Sequence, residues 1–248
     1  MKSSLSKYAS HPMEQLKYSL GPFELFAAIV GGSPFILAGF LIYNPVASVV
    51  DLVPVIQSSG TVAISLTLIF LSYIIGGTIQ GLSWRYFLFL CRLLKKDYFY
   101  FGNQLTERFQ TLNKPEFNDS KTLEFEDRLV IKLQEKIGIP KKMNWMDNRL
   151  KAYLRERNSP AVGAADTYVA SHIMYRNLSL GCLVLCGVSF MNSIRVMSLE
   201  LLLLTPLTGY LAYLMFLRSV SFKKWQNRTL ILGFYFAATQ AASVEENP

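Results

Sequence analysis

The chain has 248 residues, 51% of them apolar, and a mean hydropathy of +0.27, above the roughly 45 to 50% apolar content of ordinary soluble proteins. Its 25 Lys and Arg against 17 Asp and Glu give a formal net charge of +8. The apolar residues gather into windows long enough to cross a bilayer, the basic residues flank those windows, and the three cysteines lie in or beside them. These features point away from a soluble globular domain, a nucleic-acid binder and a disulfide-framed secreted domain.

In chain order, residues 1–21 form a polar arm with Lys2, Lys7 and Lys17. It lacks the apolar core of a cleavable secretory signal, so the first span is expected to remain as an anchor. Residues 22–43 are the first predicted transmembrane helix. Its Gly31-Gly32-Ser33-Pro34 run predicts a kink, because proline removes a backbone donor. Residues 44–61 form an external loop with no basic residue and only Asp51. Residues 62–82 are the second span, 21 residues without a charge. Gly77-x-x-x-Gly81 within it permits close helix approach, either to span one or to another subunit.

Residues 83–96 continue as a basic aromatic stretch suited to the headgroup layer, rings in the interface and cations reaching for water. Residues 97–172 read as a small helical domain and a stem. The NKPEFND turn leads to an N-cap at Asp119 or Ser120 and a stripe of Leu123, Leu129, Val130, Leu133 and Ile137, stopped by Gly138 and Pro140. A second helix over 145–157 carries Leu150, Tyr153 and Leu154 and ends before Ser159-Pro160. A domain of this size is marginal alone and needs the span ends or a partner to lean on. Residues 173–192 are the third span, 193–198 an external turn, and 199–217 the fourth span. Residues 218–248 are an interfacial segment and tail, whose apolar run at 229–238 is too short to cross.

The distribution of Lys and Arg sets the orientation. Three lie in the N-terminal arm, none in 44–61, seventeen between span two and Arg176, Arg195 alone before span four, and four in the tail. By the positive-inside rule both termini and the middle domain are cytoplasmic. The sequons at Asn118, Asn177 and Asn227 then fall on the cytoplasmic side and are chance matches.

Glu24 admits two readings. As the third residue of a helix opened by Pro22 it faces the positive end of the helix dipole. In an oligomer, copies of it would ring a cytoplasmic pore mouth. The pore or gating candidates are Glu24, Pro34, Gly77, Gln80 and Gly81. The expected lipid-headgroup contacts are Trp84, Arg85, Arg92, Lys95, Lys96, Lys223, Lys224 and Trp225. Arg176 is read as snorkelling to the cytoplasmic surface. No Asp, Glu, Lys, Arg or His lies near the middle of a span, which argues against a proton-coupled transporter.

The chain carries two histidines, His11 and His172, and no nucleophile elbow, phosphate-binding glycine loop or metal-ligand cluster. Cys182 and Cys186 stand at i, i+4 without further ligands for zinc and are read as packing residues. Asp166 and His172 are read as structural. The expectation is therefore no catalytic residue, no metal and no cofactor.

PFELFAAIVGGSP, SYIIGGTIQGL and YRNLSLG together resemble the corresponding segments of uncharacterised bacterial four-span inner-membrane proteins. That resemblance implies four spans, a cytoplasmic helical insertion and a location in the bacterial inner membrane, and it implies no catalytic residue. The fold expected is all-α and integral to the membrane, two transmembrane hairpins with a small helical cytoplasmic domain inserted between them. The function expected is that of a non-enzymatic, homo-oligomeric membrane effector or channel-like protein controlled by its basic cytoplasmic domain. The alternative is a membrane anchor or adaptor holding a cytoplasmic protein partner through 121–137 or 145–157. Membrane lipids are partners on either reading, and nucleic acid is not.

Overall fold

The computed structural model describes residues 22–43, 45, 62–99, 125–138 and 146–245. The arm 1–21, nearly all of the external loop 44–61, the turn at 113–119 with its N-cap, and Pro140 lie outside them. Among the described residues every regular element is a helix. These are α1 (Pro22–Tyr43), α2 (Val62–Thr78), α3 (Gln80–Leu93), α4 (Phe125–Lys136), α5 (Met146–Glu156), α6 (Ala161–Val196) and α7 (Leu199–Glu245).

By length and composition α1, α6 and α7 can each cross a membrane, and a fourth crossing exists only if α2 and α3 count together as one. The segment 62–82, expected as the second span, falls on two helices here. The helix breaks at Ile79 and α3 leaves α2 at 54°. Gly76 and Gly77 weaken the helix just before the break, and two carbonyls flanking it are held by side chains of α6, Gly76 O by Asn177 and Gln80 O by Arg176.

The helices that contain the expected third and fourth spans run beyond them. α6 is one 36-residue helix that includes the stem, and α7 is one 47-residue helix that includes the interfacial segment. The turn between them shrinks to Met197 and Ser198. Met197 takes a left-handed conformation (φ 53°), and the Ser198 amide donates to Ser193 O at 3.1 Å, which closes α6 in the Schellman manner.

The chain divides into two compact units, residues 1–90 with 170–219, and residues 91–169 with 220–248. In the first, α1 and α2 cross with their backbones in contact. A Cβ on Gly32 would lie 2.0 Å from Ser72 O, and one on Gly76 would lie 1.9 Å from Ala28 O. The contact thus runs along Ala28-x-x-x-Gly32 and Ser72-x-x-x-Gly76, a small-residue crossing on both helices. Gly77 and Gly81 have nothing within 4 Å of a would-be Cβ, so they do not pack α2 against α1. α1 runs through Pro34 as one helix. The Val30 carbonyl, deprived of an amide donor by that proline, accepts from Ser33 Oγ at 2.9 Å.

The second unit is built around Leu129, Leu133, Leu150 and Leu154, all fully buried, with Val162 and Ala165 from the start of α6 and Leu230, Ile231, Phe234 and Ala238 from the end of α7. The run at 229–238 is thus part of this core. Its local signals work as the sequence implies. Gly138 takes φ 66° after α4, and Arg149 Nη1 donates to the carbonyl of Ile137 at 2.9 Å and of Gly138 at 3.3 Å. Asn158 adopts φ 52° after α5, and Ser159 Oγ accepts from the Ala161 amide at the start of α6 at 3.4 Å.

Candidate functional site

The helix α6 brings His172, Arg176 and Ser179 onto one face at i, i+4 and i+7, with Asn177 beside them, and all four are buried. Arg176 does not snorkel; it is only 7% exposed. Its Nε donates to Ser83 Oγ at 3.0 Å, its Nη2 to Gln80 O at 3.3 Å, and its Nη1 to His172 Nε2 at 3.4 Å. The guanidinium carbon stands 5.3 Å from the Trp84 ring centroid, a cation–π distance. Among the described residues no carboxylate lies within ion-pair distance of it. A buried guanidinium is therefore held by neutral acceptors and a ring face.

Around it the network closes on neighbouring helices. Ser83 Oγ and Asn177 Oδ1 are 2.5 Å apart, and Asn177 Nδ2 donates to Gly76 O at 3.1 Å. A Cβ on Gly31 would stand 2.7 Å from the Asn177 Cβ, so that glycine makes room for the amide. Ser179 Oγ donates to Ala212 O at 2.7 Å and lies 3.2 Å from Tyr86 Oη. His172 Nδ1 lies 2.8 Å from Ser219 Oγ and 3.1 Å from Ser219 O. Phe87 stacks on Trp84 and meets the imidazole edge-on.

The Ser219–His172 distance is that of a hydrogen-bonded hydroxyl and imidazole, and the Ser219 side chain is fully buried. A guanidinium has no acceptor, so Arg176 is the donor at its contact with His172 Nε2. The network can orient helices and hold a charge.

In the second unit, Asp147 of α5 is buried and accepts from Lys223 Nζ at 2.8 Å, Gln226 Nε2 at 3.3 Å and Asn227 Nδ2 at 2.5 Å. Asp166 pairs with Lys151 at 2.5 Å and Arg155 at 3.6 Å. Asp166 and His172 therefore serve two different networks.

The residues singled out from sequence fall on different surfaces. Glu24 is exposed in the first turn of α1, and Pro34 packs on Gly181, where a Cβ would lie 2.9 Å from it. Gly77 and Gly81 are exposed, and Gln80 contributes its carbonyl to Arg176. Among the expected headgroup residues, Arg85, Arg92, Lys95, Lys96 and Trp225 are exposed, Trp84 is half-buried beneath Arg176, and Lys223 is engaged with Asp147. Sequence reasoning passed over His172, Arg176, Asn177 and Ser83 as a group. The signal was there: polar residues at 172, 176 and 179 keep helical spacing beside an apolar window.

Arg176→Lys is expected to lower stability by about 1–3 kcal/mol, because an ammonium keeps the charge but loses the planar fork that serves three acceptors. Ser83→Ala, which leaves the guanidinium two of those acceptors, should cost less. Thermal unfolding in detergent would rank the two, and the reverse order would show that the network is not centred on Arg176.

Comparison with family models, with curated proteins and with solved structures finds no match for this chain.

Proposed function

We propose that this chain is a four-span protein of the bacterial inner membrane with both termini cytoplasmic, its α2–α3 pair making one bent crossing and its spans pairing as two hairpins. On this reading it is a non-enzymatic, homo-oligomeric membrane effector of channel-like type, governed by its basic cytoplasmic unit. The observation that carries the oligomer is the outward notch at Gly77 and Gly81, where nothing lies within 4 Å of an added Cβ. Gly77 lies near the end of α2, whose residues 64–71 are all exposed, and Gly81 lies at the start of α3 beyond the 54° break, so each leaves its own helix open to close backbone approach by a second copy.

The adaptor reading has less support. It needs the apolar stripes of α4 and α5 for a partner, yet Leu129, Leu133, Leu150 and Leu154 are already covered within their own unit. The burial of His172, Arg176 and Ser219 in contacts that tie α3, α6 and α7 together favours a role in holding helices.

Mass measurement in native lipid discs tests the proposal. The wild type is expected as a closed ring of three or more copies, and Gly77→Leu with Gly81→Leu as a monomer that keeps its fold. A wild-type monomer would overturn the shared path and put the adaptor first. Inducible expression with a membrane-potential dye supplies the functional arm, and an unchanged potential under every activating condition would count against the channel-like part.

A further inference from the structure

Arg176 is buried, and among the described residues no carboxylate lies within ion-pair distance of it. Its partners, Ser83 Oγ, Gln80 O, His172 Nε2 and the Trp84 ring, accept its N–H groups or face its plane and leave its charge uncancelled. The other charged side chains described in the first unit, Glu24, Arg85, Arg195, Glu200 and Arg218, are all exposed. Salt screens exposed charges over about 8–10 Å, and buried ones much less. Arg176 therefore sets the sign of the potential around the α2–α3 break.

That charge lies close behind the open glycines. Arg176 Nη2 donates to Gln80 O at 3.3 Å. The C=O, C–N and N–Cα bonds join that oxygen to the Cα of Gly81, so the guanidinium nitrogen is within about 7 Å of it. On their outer sides Gly77 and Gly81 have nothing within 4 Å of an added Cβ. Arg85, four residues after Gly81 on α3, shares its side of the helix and is exposed. Two cations thus attend the face that a second copy approaches, one buried behind it and one on it. The acid of this unit nearest in kind to a pore-mouth charge, Glu24, is exposed to water in the first turn of α1.

We propose that the path shared between copies selects small inorganic anions such as chloride over cations, and that Arg176 sets the preference. The inference rests on the channel-like reading above and names the class of ion. Arg176 acts through its field and keeps its hydrogen bonds, as basic side chains beside a pore do when they exclude cations. A unit charge about 10 Å from the permeating ion, at an effective dielectric constant of about 20, favours an anion by roughly tenfold or more. Each copy in a ring adds its own charge, and Arg85 adds a weaker, screened contribution at the surface.

The test uses the full chain in liposomes under a potassium chloride gradient and reads the reversal potential. The wild type should reverse close to the chloride equilibrium potential, with chloride about tenfold or more the better permeant. Arg176→Lys and Arg176→Gln both lose the planar fork, but only the second loses the charge. Arg176→Lys should keep most of the preference and Arg176→Gln should lower it about tenfold, a split that a purely structural role does not produce. Arg85→Gln, at an exposed position, should lower it less. A wild type that reverses near the potassium potential, or midway between the two, overturns the proposal with no variant needed. So does an Arg176→Gln that keeps the wild-type preference. A wild type that passes no ion sinks the channel-like reading and this inference with it, whereas conduction without a chloride preference sinks the inference alone.

Discussion

Gly76→Ala is expected to drive α1 and α2 apart, whereas Gly77→Ala, one residue on, should leave the fold intact. The added methyl at Gly76 would sit 1.9 Å from the Ala28 carbonyl oxygen, and that of its counterpart Gly32 would sit 2.0 Å from Ser72 O. Overpacking costs about 1–3 kcal/mol even where side chains can yield. Here the obstacle is backbone, so the loss should lie at or above the top of that range. At Gly77 the methyl meets open space, and the better helix propensity of alanine is worth up to about 1 kcal/mol in the opposite direction. Thermal midpoints of the two variants in detergent decide the matter. Similar midpoints would mean that α1 and α2 do not cross through Gly32 and Gly76.

Asp147→Ala should be comparably severe in the second unit. Asp147 and Lys223 are 12% and 13% exposed at their side chains, and the same carboxylate serves the amides of Gln226 and Asn227. Removing it leaves a buried ammonium without its counter-charge, a change that typically costs about 3–5 kcal/mol. The double variant Asp147→Leu with Lys223→Met should recover part of that loss, since apolar residues commonly replace a buried pair at little cost, while the buried amides of Gln226 and Asn227 still lack their acceptor. Chemical unfolding, followed together with protease sensitivity of residues 146–169, would measure both. A double variant no better than the single would show that the loss comes from shape and not from the stranded charge.

The contrast between Gly76 and Gly77 also marks where sequence reasoning stops. Both lie in the same uncharged window, and a hydropathy window does not change when a helix rotates by the roughly 100° that separates consecutive residues. Gly77-x-x-x-Gly81 and Ser72-x-x-x-Gly76 are equally good small-residue patterns on paper. Only the position of α1 decides which of them is an intrachain crossing. The break at Ile79 is of the same kind, since the carbonyls on either side of it are held by Asn177 and Arg176, about a hundred residues away in sequence.

Arg176 makes the point in energetic terms. A cation at the start of an apolar window ordinarily reaches for water, because burying it unpaired is expensive. It stays buried here because Ser83 Oγ, Gln80 O, His172 Nε2 and the Trp84 ring converge on it, and that convergence requires α3 and α6 to lie side by side.

What the sequence determined by itself is what depends on neighbours along the chain. The all-helical class, the windows long enough to cross a bilayer, the place of Glu24 in the first turn of α1, and the endings at Gly138 and Ser159 all follow from local hydropathy, dipoles and backbone geometry. What the tertiary structure alone decided is what depends on neighbours across space. It chose the glycine that makes the crossing, the groups that converge on Arg176, and the partner of Asp147. It also drew the end of α7 into the core with Leu150 and Leu154. An apolar or polar side chain states that it must be covered or paired, and only the packed fold supplies the group that does so.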